Sequence, residues 1–204
     1  MRRRSSLLLW LVVLAGCGSS GGGQSPAATA PGFTVRTDTH AGFSIALPKR
    51  WRSLDRGTAL RGARLKRFAE ANPRLRTELQ ALAGPQSPIK LIAVEPAGKQ
   101  AFRANMNVIQ TRVPKSLSFE ELSKNEATQI KLVSAVQDMR QAALRVPAGR
   151  ALRLTYRVKQ RGVVQQYFVK HDSLLYVLTY TTSIAAASHY AKIFDLSAHT
   201  FELR

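Results

Sequence analysis

Along most of this chain, apolar residues recur with a period that names the element they belong to. Gly42-Phe43-Ser44-Ile45-Ala46-Leu47-Pro48 alternates apolar with small or polar residues and stops at proline, the pattern of a strand. Phe33-Thr34-Val35-Arg36 is placed to be its hairpin partner across residues 38–41, and Trp51 just beyond is expected to pack under the sheet. Over residues 58–83 the spacing becomes helical, with Leu65, Phe68, Leu75, Leu79 and Leu82 on one face. Asn72-Pro73 interrupts that run. Asparagine caps a helix by accepting a free backbone N–H, and proline suits the first helical position, where no N–H is needed. The segment therefore reads as two consecutive helices, closed by Gly84-Pro85.

Strands follow over residues 89–95 and 104–113, then a helix over 118–133. Ser118 and Glu121 stand three apart, as in a capping box, and Leu122, Ala127, Ile130 and Val133 form the apolar stripe. Residues 150–159, 163–170 and 174–182 read as three strands. Gln160-Arg161-Gly162 and His171-Asp172-Ser173 join them, and connections this short link only antiparallel neighbours. The run from Leu174 to Tyr180 is apolar on both faces, which predicts a central strand covered on both sides. A last helix is expected over about 186–196. The order is hairpin, helices, two strands, helix, three-strand meander, helix. It predicts an α+β fold, an antiparallel sheet of about six to seven strands sandwiched between helices on both faces.

The first residues follow a different logic. Met1-Arg2-Arg3-Arg4 is basic, and the apolar run from Leu7 to Leu14 is too short to span a bilayer, which takes about 20 residues. The run closes on Leu14-Ala15-Gly16-Cys17, which resembles a bacterial lipobox. That resemblance implies a signal peptide over residues 1–16, cleavage before Cys17 and a thioether lipid on its sulfur. Cys17 is the only cysteine. An ordinary signal peptide with an incidental cysteine is the alternative, though a lone cysteine at this register is hard to place by accident; the three arginines and the glycines that follow argue against a buried N-terminal helix. Two or more acyl chains anchor a protein stably where one does not. Residues 17–32, rich in Gly, Ser and Pro, are expected to form a flexible linker with a typical reach of about 20 Å. Residues 33–204 then make one globular domain, on the extracytoplasmic face of the cell membrane, with no disulfide to hold it.

Charge adds a candidate surface. The chain carries a formal charge of +19, and loss of the three signal arginines leaves +16, because all twelve acids lie beyond them. Between residues 49 and 76 ten cations face only Asp55 and Glu70. Arg61, Arg64 and Arg67 share one helix side and, with Arg74, are candidate contacts to an anionic lipid or an acidic wall polymer. A solvated face in an arginine-rich composition explains the same residues, and both readings stand. Nucleic acid would suit the charge, but the location and the lack of a binding motif argue against it.

Candidate chemistry is sparse. The sequence has no nucleophile elbow, zincin motif, P-loop or dinucleotide fingerprint. His40, His171, His189 and His199 lack metal partners at ligand spacing, so neither metal nor cofactor is expected. His171-Asp172 reads as a turn, Glu120-Glu121 as acids complementing a helix N-terminus, and Tyr167, Tyr176 and Tyr180 as sheet packing.

The domain resembles the Mog1/PsbP/LpqN-like group. The likeness rests on Gly42-Phe43-Ser44-Ile45-Ala46-Leu47-Pro48 with Trp51, on Asn105-Met106-Asn107-Val108-Ile109, on Gln166-Tyr167-Phe168-Val169, and on Tyr176-Val177-Leu178-Thr179-Tyr180. Residues 197–203 resemble the group's terminal serine–phenylalanine strand or cap. The resemblance implies an α/β/α sandwich serving as a binding or accessory module, and the lipobox suits its lipoprotein branch. It brings no shared catalytic residues. The expectation is a membrane-anchored, non-enzymatic lipoprotein that contacts an anionic envelope surface or a protein partner. A lipid or small-ligand carrier is the alternative, and an enzyme of unrecognised type the second.

Overall fold

The alternation in 42–48 and 33–36 does produce a hairpin, but the hairpin stands apart from the main sheet. The structure is a computed structural model and describes residues 30–55, 70, 87–96, 102–132, 136–159 and 162–204. In chain order the described elements are β1 (Phe33–Asp38), β2 (Phe43–Pro48), β3 (Arg52–Asp55), β4 (Ile89–Val94) and β5 (Asn105–Arg112). Then come α1 (Phe119–Leu132), β6 (Val136–Val146), β7 (Gly149–Val158), β8 (Gly162–His171), β9 (Leu174–Thr182), α2 (Ala187–Ala198) and β10 (Glu202–Leu203). β1, β2 and β10 form a three-stranded sheet in the order β1-β2-β10. The other seven strands form a second sheet in the order β3-β4-β5-β9-β8-β7-β6, and every pairing in both is antiparallel.

The expected single sheet is thus corrected to two. β2 cannot join the larger sheet because β10 occupies its second edge, with Glu202 opposite Ser44 and Leu203 opposite Phe43. The expected three-strand meander is also one strand short, since β6 precedes it. β6 lies at the sheet edge, mostly exposed, and its register shifts between Gln137 and Arg140, where Asp138 takes φ 51°. A bulge inserts an extra residue and breaks the period of two that would have marked the strand. Of the helices expected over 58–83 only Glu70 is described, and it is helical; the rest lies outside the described residues. Among the described residues, α1 and α2 are the two helices.

β9 takes the central place its sequence predicts, fourth of seven. Its residues divide between two hydrophobic clusters, Tyr176, Leu178 and Tyr180 in one and Leu175 with Val177 in the other. β7 and β8 divide likewise: Ala151, Tyr167 and Val169 join the first cluster, and Leu152, Leu154, Val164 and Phe168 the second. Successive strand side chains point to opposite faces, so the two clusters mark the two faces of the sheet. α2 contributes Tyr190, Phe194 and Ala198 to the first cluster, together with Phe43, Ile45 and Leu47 of β2. α1 contributes Leu122 to the second, with Phe119, Ala127 and Ile130 packed against it. Trp51 packs on Tyr190 and Phe194, with ring centroids 6.4 Å away in each case. Each such large apolar side chain stabilises the fold by about 1.5–3 kcal/mol when fully buried.

Local signals hold the elements in place. Glu121 N–H donates to Ser118 Oγ at 3.1 Å, and Ser118 N–H donates back to Glu121 Oε2 at 2.9 Å, which is the expected capping box. β8 opens on Gly162 at φ +110°, and a Cβ there would lie 2.0 Å from the Thr182 carbonyl oxygen, so only glycine lets β8 meet β9. Among the described residues no helix is long and apolar enough to cross a membrane.

Candidate functional site

The sequence-predicted site residues Cys17, Arg61, Arg64, Arg67 and Arg74 all lie outside the described residues. Three groupings of polar side chains stand out among the described residues, two within the fold and one on its surface.

The first is a polar node under α2. Asp195, on α2, accepts at Oδ1 from Arg153 Nη1 of β7 at 2.8 Å, from Gln165 Nε2 of β8 at 2.7 Å, and from the Tyr167 hydroxyl of β8. Gln165 Nε2 also donates to the Tyr167 hydroxyl at 2.5 Å. The node forms because Arg153 lies directly opposite Tyr167, and Gln165 two residues from Tyr167 on the same face. Tyr167 is fully buried and Gln165 nearly so, while Arg153 and Asp195 are about one-third exposed. Burial, with the Asp195 carboxylate next, pushes the Tyr167 hydroxyl well above its ordinary range. It is therefore held as a neutral donor. Sequence reasoning missed Asp195, Arg153 and Gln165; the only signal was two polar groups, Gln165 and Tyr167, spaced two apart on the strand face that also carries Val163 and Val169.

The second place joins the main sheet to the hairpin. The Tyr176 hydroxyl and Gln110 Nε2 both donate to the Ala41 carbonyl at 3.0 Å. The Tyr180 hydroxyl donates to Ser197 Oγ at 3.0 Å, and Ser197 Oγ donates to the Ala46 carbonyl at 2.7 Å. The three tyrosines are packing residues, as expected, and each hydroxyl also pins one layer to another.

The third is a line of cations at one end of the sheet. Arg145 of β6 stands directly opposite Arg150 of β7. Ala151 is opposite Val169, so the next positions toward this end are Arg150 and Lys170. Lys170 Nζ donates to the Lys115 carbonyl at 3.1 Å. Arg150 lies 3.9 Å over the Phe119 ring and contacts Glu120 Oε1 at 2.8 Å, a surface pair with both partners at least half exposed. Glu120 is thereby tied to Arg150, and Glu121 to the α1 cap.

His171 and Asp172 form the turn between β8 and β9, with Asp172 at φ 50° and the two side chains exposed and 3.8 Å apart. Among the described residues no group of three His, Cys, Asp or Glu is arranged to hold a metal.

No protein-family model matches the sequence, and no curated protein matches it significantly. Solved structures do. PsbP (CyanoP) from the cyanobacterium Synechocystis sp. PCC 6803 superposes with a TM-score of 0.52 at 16% identity, covering 92% of this chain and 99% of its own. LpqN of Mycobacterium tuberculosis, a protein involved in cell envelope biogenesis, superposes with a TM-score of 0.55 at 10% identity, covering 84% of this chain and 90% of its own. Identities this low speak for architecture alone. Together with the two antiparallel sheets, they establish that this chain has the PsbP/LpqN-like fold.

Proposed function

We propose that the chain is a cell-envelope lipoprotein, held on the extracytoplasmic face of the membrane by lipid on Cys17, with residues 33–204 serving as a non-enzymatic binding or accessory domain. The observation that carries this reading is Leu14-Ala15-Gly16-Cys17 at the end of a short apolar run behind three arginines, with no other cysteine in the chain. The fold supports it by analogy, since LpqN has the same architecture and acts in envelope biogenesis. The internal polar groups support it as well. Tyr167, Tyr176, Tyr180, Gln165 and Ser197 are each engaged in bonds that join layers of the fold. On this reading a partner meets the surface, and the chain carries 31 Lys and Arg against 12 Asp and Glu. The α/β/α layering, with helices over both faces, and the Arg61, Arg64, Arg67 and Arg74 contacts to an anionic envelope component belong to the same proposal.

Expression of the full chain and of Cys17→Ala in a bacterium with lipoprotein-processing enzymes tests the anchor. The intact chain should incorporate labelled palmitate, begin at Cys17 by mass spectrometry and sediment with membranes. Cys17→Ala should lose all three properties. Palmitate incorporation that survives the substitution, or a mature N-terminus elsewhere, overturns the reading.

A further inference from the structure

The line of cations occupies a particular end of the domain. Gly32 accepts from Lys49 N–H at 2.8 Å, so the linker joins the domain at the end of the hairpin where β1 begins and β2 stops. Trp51 leads into β3, whose Arg52 lies opposite Val94; Val94 is opposite Asn105 and Asn105 opposite Thr181, so this end is also where β9 finishes and α2 begins. Arg145, Arg150 and Lys170 lie at the other end, beside the Gly149 start of β7 and the His171 finish of β8. Ten residues of β7 separate the two ends by about 30 Å.

The line is also underneutralised. Neighbouring strands are about 4.8 Å apart, so three cations fall within about 10 Å, all on the face of Leu152 and Phe168. Like charges directly opposite one another across a strand pair destabilise it. Glu120 meets Arg150, but neither Arg145 nor Lys170 has a carboxylate partner among the described residues. Phe119 holds the Arg150 guanidinium over its ring, and Lys170 is drawn against the 113–118 segment, which adds Lys115 to the same end. The arrangement is partly ordered before any anion arrives.

We propose that Arg145, Arg150 and Lys170, with Lys115 beside them, bind a polymer with a phosphodiester in each repeat, on the side of the domain facing away from the membrane. This rests on the lipoprotein reading only for its direction. Guanidinium groups pair with phosphate through two parallel N–H donors, and a polymer offers one phosphate after another along the row. A bilayer offers the same phosphate chemistry, but the domain would have to invert on its linker to present this end to it.

The test measures binding of poly(glycerol phosphate), and separately of phosphatidylglycerol vesicles, by the chain from residue 17 onward carrying Cys17→Ala, so that neither an acyl anchor nor the basic, apolar segment 1–16 plays a part. Each probe is compared across this parent, a version with Arg145→Gln and Lys170→Gln, and a version with Lys49→Gln and Arg50→Gln at the linker end. Expected is a loss of at least tenfold in polymer affinity for the first pair at about 0.1 M salt, with a shallower salt dependence. The linker-end pair should stay within twofold, and the vesicle affinities of the two pairs should be alike. The polymer should also raise the melting temperature of the parent but not of the Arg145/Lys170 version, a readout that first confirms folding of both. Equal polymer losses for the two pairs would show general charge attraction and overturn the proposal. So would unchanged polymer binding, or a vesicle loss confined to the Arg145/Lys170 version. Failure here with Cys17 lipidated would remove this site and leave the lipoprotein reading intact.

Discussion

Replacing Asp195 by alanine removes the one acceptor shared by Arg153, Gln165 and Tyr167. The three donors do not lose equally. Arg153 is one-third exposed and can turn to water, and Gln165 keeps the Tyr167 hydroxyl as an acceptor. The Tyr167 hydroxyl is fully buried and loses its acceptor. An unpaired buried donor costs about 1–3 kcal/mol, and the two remaining bonds add about 0.5–1 kcal/mol between them. Asp195→Ala is therefore expected to destabilise by about 2.5 kcal/mol, which for a domain of this size lowers the melting temperature by about 5–10 °C. Tyr167→Phe deletes the stranded group itself and should cost only about 1 kcal/mol. The double variant should then cost less than the sum of the singles, by about 1 kcal/mol, because the orphan that penalises Asp195→Ala is gone. Urea unfolding of the four proteins measures the cycle. Additive losses, or an Asp195→Ala change under about 0.5 kcal/mol, would show that the node does not act as described.

Gly162→Ala should cost about 4 kcal/mol, since its Cβ meets the Thr182 carbonyl at 2.0 Å and the backbone is at φ +110°; Gly149→Ala, at φ +126° with open space around it, should cost about half as much, and urea titration ranks them. Ser118→Ala should cost about 1 kcal/mol through the α1 cap, seen as a lower unfolding midpoint and faster amide exchange in 119–122. All five tyrosine hydroxyls are held above their ordinary value, mainly by burial, and Tyr156 is pushed up to about 12. Above pH 10 the unfolded chain releases tyrosine protons that the folded chain keeps. Stability is thus undiminished below pH 10 and falls as pH rises beyond it, by up to about 1.4 kcal/mol per pH unit for each such tyrosine. Tyrosinate absorbance and circular dichroism should therefore change together; ionisation of all five near pH 10 with the fold intact would contradict their burial.

What the sequence made legible was whatever local chemistry decides. β8 and β9 were marked by the short turns at 160–162 and 171–173, β9 also by a run apolar on both faces, and α1 by Ser118 and Glu121. β6 was not, because the bulge between Gln137 and Arg140 breaks its alternation, which runs only over residues 142–146. Nor was the division into two sheets, which depends on β10 reaching β2 from more than 150 residues away. The opposition of Arg145 and Arg150 became visible only through register, and Asp195 only through the docking of α2 onto β7 and β8. Long-range geometry of this kind leaves little trace in composition or spacing.

The pairing of β10 with β2 also sets an order of events. Phe201 is fully buried against Phe43 and Tyr176, and Arg204 N–H donates to the Gly42 carbonyl at 2.9 Å. A chain that emerges from its N-terminus must therefore keep one edge of β2 unpaired, and Phe43 without its neighbour, until residues 201–204 have followed.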